Sequence, residues 1–127
     1  MSFGLKKAER LYKRDEFTLL FQEGKKSTAF PIRLIYLLRD VEDSSDTTPI
    51  KCAFSVPKRI FKRAVDRNLL KRKMREAYRL NRLELKEELK NKNKQLLLTF
   101  VYTAKDVRLY SEIEDKITLL LRPLQGI

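Results

Sequence analysis

Apolar residues recur along this chain with two periods, one helical and one strand-like. In "RDEFTLLFQEG", Phe17, Leu20 and Phe21 fall at i, i+3 and i+4, which predicts a short helix. Asp15 and Glu16 suit its positive N-terminal end, and Gly24 suits a left-handed C-terminal cap. "AFPIRLIYLL", over 29–38, is dense in branched and aromatic residues and predicts a strand. "IKCAFSV" predicts a second strand, stopped by Pro57, and the polar, acidic "RDVEDSSDTTP" between the two predicts a surface loop. A helical period resumes at Ala64 and runs to at least Arg82, and "LELKEELKNKNK" continues that helix or begins another. "QLLLTFVYTA" is apolar on both faces, as a central strand is. "SEIEDKITLLLRPL" predicts a last helix, with Ser111 as its N-cap and Pro123 as its stop.

The order helix, two strands, helix, strand, helix predicts an α+β two-layer sandwich, about three helices over a small mixed sheet. One domain over 1–127 accounts for the length, with 1–13 as an extended basic arm. No segment approaches the about 18 apolar residues of a membrane span, and the N-terminus lacks the apolar core of a signal peptide. A lone cysteine, Cys52, excludes an intramolecular disulfide and fits a reducing compartment; its place in an apolar run marks it as a buried small residue. The expected location is the cytoplasm.

Charge changes this picture. The chain carries a net +12, and residues 58–82 alone hold eleven basic against two acidic side chains. On a helix advancing about 100° per residue, Arg67, Lys71, Arg72, Arg75, Arg79 and Arg82 fall on one side around Asn68. Leu70, Met74 and Ala77 fall opposite. Arg67, Lys71, Arg75 and Arg79 repeat at i, i+4, where like charges repel by a few tenths of a kcal/mol per pair. A helix selected for stability alone would interleave glutamates there. The stripe makes sense if phosphates supply the missing charge, arginine through its two-pronged fork and lysine as a point charge. An anionic membrane is the second candidate, but the apolar side of this helix is narrow and is needed by the sheet.

The chemistry of a self-sufficient catalyst is missing. The chain has no histidine, hence no imidazole acid–base group, no histidine-based triad and no His-containing zinc site. Its three glycines form neither a GxGxxG nor a P-loop pattern. The residues describe a binder of polyanions. A structural RNA-binding protein, such as a ribosomal component, and a nuclease using carboxylate-held Mg²⁺ remain alternatives from other classes.

"FKRAVDRNLLKRKMREAYR" resembles the signature of the bacterial ribonuclease P protein subunit, the basic partner of a catalytic RNA. "LKKAERLYKRDEFTLLFQEG", "AFSVPKRI" and "LLLTFVYTA" resemble that family's arm and first helix, the strand before its basic segment and its later strand, so the likeness spans nearly the whole chain. It implies a left-handed βαβ crossover, an exception to the usual hand. It also implies membership of a ribonucleoprotein endonuclease in tRNA processing. There the RNA subunit performs the Mg²⁺-dependent hydrolysis that removes the 5′ leader of precursor tRNA, and the protein binds that RNA and the leader. No catalytic residue and no metal held by the protein alone are then expected, and the free protein is expected to be a monomer.

Residue by residue, the resemblance assigns Arg67, Asn68, Lys71, Arg72 and Arg75, with Arg79 on the same stripe, to the catalytic RNA, and Lys58 and Arg59 to the basic pair just before it. Leu69 stands where the family often has a third basic residue, with Lys71 or Lys73 as replacements for that contact. Phe17, Phe21 and Tyr36 match the aromatic positions of a leader-binding cleft. The spacing of Phe17, Leu20 and Phe21 fits a core-facing helix side equally well.

Overall fold

A computed structural model describes residues 9–41 and 48–125. The first eight residues of the expected arm and most of the acidic loop lie outside them. The elements are α1 (Arg14–Glu23), β1 (Lys25–Ala29), β2 (Ile32–Asp40), β3 (Ile50–Ser55), α2 (Ala64–Asn81), α3 (Leu83–Asn91), β4 (Lys94–Tyr102) and α4 (Tyr110–Leu121), followed by a 3-10 turn (Arg122–Leu124). The strands form one mixed sheet in the order β1-β2-β4-β3, antiparallel except for the parallel pair β3–β4. The α+β class and the mixed sheet are as expected, and the strand apolar on both faces, β4, is central and buried along nearly its whole length.

Alternation along the strands divides the interior in two. Leu34 of β2, Cys52 of β3 and Leu96, Leu98 and Phe100 of β4 point to one face, where Leu70, Met74, Ala77 and Tyr78 of α2, Leu85 and Leu89 of α3 and Ile113 and Ile117 of α4 cover them. Tyr78 sits among Phe54 and Phe100, with ring centroids 5.8 Å from each. On the opposite face Ile35 and Leu97 meet Leu11 and Leu20, with Phe17, Leu37 and Ala53 at the margin. Helix α1 therefore lies alone against the face that α2, α3 and α4 leave open.

The structure adds a strand and a helix to the expected count, and the reasons are local. β1 reads "KKSTA", a polar sequence at an exposed sheet edge, where no hydrophobic pattern is required and lysines discourage further pairing. The strand expected over 29–38 begins at Ile32, because Phe30 and Pro31 form the turn between β1 and β2. Pro31 has no N–H for the ladder, and its carbonyl accepts from the Thr103 amide at 2.8 Å. The helical period after Ala64 breaks at Arg82, where α3 begins as a separate helix.

Two expected caps are placed differently. α4 starts at Tyr110 with Leu109 as its N-cap, so Ser111 lies inside the first turn, two positions past the capping site. Gly24 is extended (φ −71°, ψ 152°) and not left-handed. Its amide donates to the Leu20 carbonyl at 2.8 Å, and a Cβ there would stand 2.3 Å from that oxygen and 3.0 Å from Ile35 Cγ2. Glycine is required at this position for close approach. Gly24→Ala is expected to lower the unfolding free energy by about 1–3 kcal/mol, as overpacking does. A denaturant midpoint equal to wild type would refute this account.

Candidate nucleic-acid interface

Helix α2 buries Leu70, Met74, Ala77 and Tyr78 and turns its cationic side away from the sheet. The cations do not behave alike. Lys71, Arg72 and Arg75 line a surface groove of about 490 Å³ with Val65, Asp66, Asn68 and Leu69. Among the described residues these three cations make no ion pair. Arg67 instead donates through Nη1 to the carbonyls of Phe61 (2.7 Å) and Lys62 (2.9 Å), tying the preceding loop to the first turn of the helix. Arg79 pairs with Glu76 at 2.7 Å. Arg82, expected on the open stripe, turns to the buried Glu9 at 3.3 Å. The open stripe is thus shorter than its periodicity predicts, because its last two arginines have carboxylate partners.

Lys58 and Arg59 are exposed on the turn after β3, where the amides of Ile60 and Phe61 both bond the Pro57 carbonyl. Leu69 lends the groove an apolar wall. Of its two suggested replacements, Lys71 lies in the groove, whereas Lys73 reaches across to the Arg108 carbonyl at 3.0 Å.

A second groove, of about 580 Å³, runs between α1, the outer edge of β3 and α2. Arg10, Leu11, Tyr12, Phe17, Cys52, Ala53, Phe54, Lys71 and Arg75 line it. Lys71 and Arg75 therefore border both grooves. The Arg75 guanidinium lies 5.8 Å from the centroid of the Phe54 ring, a cation–π distance that holds it at this ridge. Cys52 is buried at the floor, and burial pushes its thiol well above the usual range, so it stays protonated and unreactive at neutral pH.

The three expected leader aromatics are not all brought together. Phe17 and Phe21 stack on α1, with centroids 6.2 Å apart and planes 17° off parallel; Phe17 is half-buried and Phe21 is 54% exposed. Tyr36 packs against the main core, on the other face of the sheet from Phe17, because its neighbours Ile35 and Leu37 are the β2 residues that face α1. A shift of one residue along a strand exchanges its faces. Tyr12, 61% exposed, and Arg10 stand at the groove instead. Periodicity gave no sign of them, since the segment has no period.

Ionic contacts hold the N-terminal segment against the body. The carboxylate of Glu9, 2% exposed, meets Arg82 and Lys86 (3.1 Å). Burial raises the pKa of this carboxyl, but the hydrogen bonds and charges of Lys86 and Arg82 outweigh it and hold the group below its usual range. Glu16 of α1 meets Arg39 at 2.9 Å and Lys51, itself only 2% exposed, at 3.2 Å. Arg39 Nε also donates to Gln95 Oε1 at 2.7 Å. Both buried carboxylates are thus engaged by cations. Among the described residues no three Asp, Glu or Cys side chains converge on one position. Nor is any described helix long and apolar enough to cross a membrane.

A model of the family described as Ribonuclease P matches residues 5–123. The chain belongs to the ribonuclease P protein family. It is 36% identical over 113 residues to the ribonuclease P protein component of Porphyromonas gingivalis, covering 89% of this chain and 80% of that one. A shorter match, 36% over 90 residues, links it to the protein component of Chlorobaculum tepidum, covering 68% and 58% of the two chains. The fold is that of the RNase P protein from Thermotoga maritima (TM-score 0.70, 22% identity, 93% and 99% coverage). It is shared also with the Staphylococcus aureus RNase P protein (TM-score 0.68, 19% identity, 94% and 97% coverage). In this member of the ribonuclease P protein family, Asn68, Lys71, Arg72 and Arg75 share the first groove, while Lys58, Arg59, Arg67 and Arg79 lie outside its lining.

Proposed function

We propose that this chain is the protein subunit of a ribonuclease P ribonucleoprotein. It docks on the catalytic RNA through the open cations of α2 and holds the 5′ leader of precursor tRNA in the groove between α1, β3 and α2. The observation that carries this reading is the ridge of Lys71 and Arg75 common to both grooves, on a chain of this family. One face of the ridge offers cations to a structured RNA. The other adds the rings of Phe17, Phe54 and Tyr12, on which unpaired bases stack at about 1–3 kcal/mol each. Backbone phosphates meet positive charge on either side, so a single strand leaving a folded RNA passes from one groove to the other without losing it.

In this reading the Mg²⁺ and the groups that cleave the phosphodiester belong to the RNA, and the protein contributes affinity and position. The complex works in the cytoplasm, where RNA is abundant and a free thiol stays reduced. The test is precursor-tRNA cleavage at low Mg²⁺ with the cognate catalytic RNA alone, the protein alone, and both together, each with leaders of increasing length. Fast cleavage is expected only from the mixture, with a gain that grows with the leader until the groove is filled. Cleavage by protein alone would make the chain a nuclease and overturn the assignment of chemistry to RNA.

A further inference from the structure

One wall of the second groove is a piece of chain with little to hold it. Arg10 and Tyr12 lie outside any helix or strand, and Tyr12 is exposed. Among the described residues this segment meets the sheet through an isolated bridge between Arg10 and Cys52, with the Leu11 amide donating to the Cys52 carbonyl at 3.0 Å, and through the buried Leu11 side chain. An exposed ring on a loosely held segment is a poor stacking surface, because binding must first order it.

Glu9 supplies the missing hold. Its Oε2 meets Arg82, between α2 and α3, and its Oε1 meets Lys86, on α3, so both oxygens grip cations far away in sequence. Seven positions on, Glu16 grips Lys51 and Arg39 from the other end of the same segment. Arg10, Leu11 and Tyr12 lie between these two buried carboxylates, and Phe17 directly follows the second. The Arg10–Tyr12 wall of the groove is suspended between two ionic clasps whose charged groups do not themselves line it.

We propose that Glu9 is a positioning residue for strand binding: by clasping Arg82 and Lys86 it presets Arg10 and Tyr12 as a wall of the second groove. The proposal rests on the reading of that groove as the leader site. Glu9 touches no RNA; it acts through Tyr12 and Arg10, and it also withdraws Arg82 from the phosphate-binding stripe.

The test uses the reconstituted holoenzyme with substrates bearing a minimal or an extended leader, together with amide hydrogen exchange on the free protein. In Glu9→Gln, and in Lys86→Met, which opens the clasp from the α3 side, the KM advantage of the extended leader is expected to fall by about tenfold, the worth of one lost stacking contact. The kcat ratio between the two substrates should stay as in wild type. The Leu11 amide should exchange faster while amides of β2 and β4 keep their protection. Equal losses on both substrates, or an undiminished leader advantage in a folded variant, would overturn the proposal. So would unchanged exchange at Leu11. If wild type itself shows no leader advantage, the leader reading falls, and the Leu11 amide alone then decides whether the clasp exists.

Discussion

Replacing Lys71, Arg72 and Arg75 together by alanine is expected to weaken binding to the catalytic RNA by about 100-fold or more near physiological salt. Each side chain that neutralises a phosphate releases condensed counterions. Its loss lowers the slope of log affinity against log salt by about 0.9 for duplex or 0.7 for single strands. Three such losses flatten the slope by about 2–3 units. Charge-assisted hydrogen bonds to phosphate, at about 1.5–3 kcal/mol each, make 100-fold a conservative figure. The three residues are the right set because they share a groove and have no carboxylate partner among the described residues. Arg79→Ala is the internal control: Glu76 already neutralises that charge, so its slope should change least. A folded triple variant with the wild-type slope would remove α2 from the interface.

Removing the Glu16 carboxylate is expected to have the largest effect on stability. Glu16→Ala takes away the anion that Arg39 and the buried Lys51 share. Breaking a buried ion pair from one side costs about 3–5 kcal/mol, because the carboxylate's share of the compensating charge is lost and water does not replace it. Against a total of about 5–15 kcal/mol this is a large fraction. The double variant Glu16→Met with Lys51→Met should recover much of the loss, since apolar replacement of both partners removes the desolvation cost as well. Urea unfolding measures both: the midpoint should fall sharply in the single variant and return in the double, with the slope m unchanged. A single variant as stable as wild type would show that the other contacts of α1 suffice.

The elements that could be read from the chain are those whose pattern is imposed by burial. β4 is apolar on both faces because it lies between β2 and β3 with helices on either side, and α2 carries a clear apolar side because it packs on the sheet. β1 left no trace, since an edge strand with few buried positions needs no hydrophobic code. That Tyr36 lies on the opposite face of the sheet from Phe17 is not legible for a related reason: β2 is apolar at successive positions, and nothing in "IRLIYLL" says which set faces α1. The cationic side of α2 is legible in the sequence as a one-sided stripe, but not which of its arginines stay open. Whether an arginine is open or paired depends on acids such as Glu9, distant in sequence and brought near by the fold. Both clasps belong to that second kind of information, which tertiary contact creates and local propensity does not carry.

The cationic helix occupies the connection between β3 and β4, the parallel pair that includes the central strand. This placement makes occupancy and folding parts of one equilibrium. A polyanion that binds the native helix and not the unfolded chain adds RT ln(1 + [L]/Kd) to stability, about 2.7 kcal/mol at a hundred times Kd. That free energy reaches the sheet directly, because α2 joins β3 to β4 and buries Leu70, Met74, Ala77 and Tyr78 against the same core as both strands. The repulsion along the i, i+4 ladder is relieved in the same event. A partner that covers α2 would therefore also be a keystone for the strands beneath it.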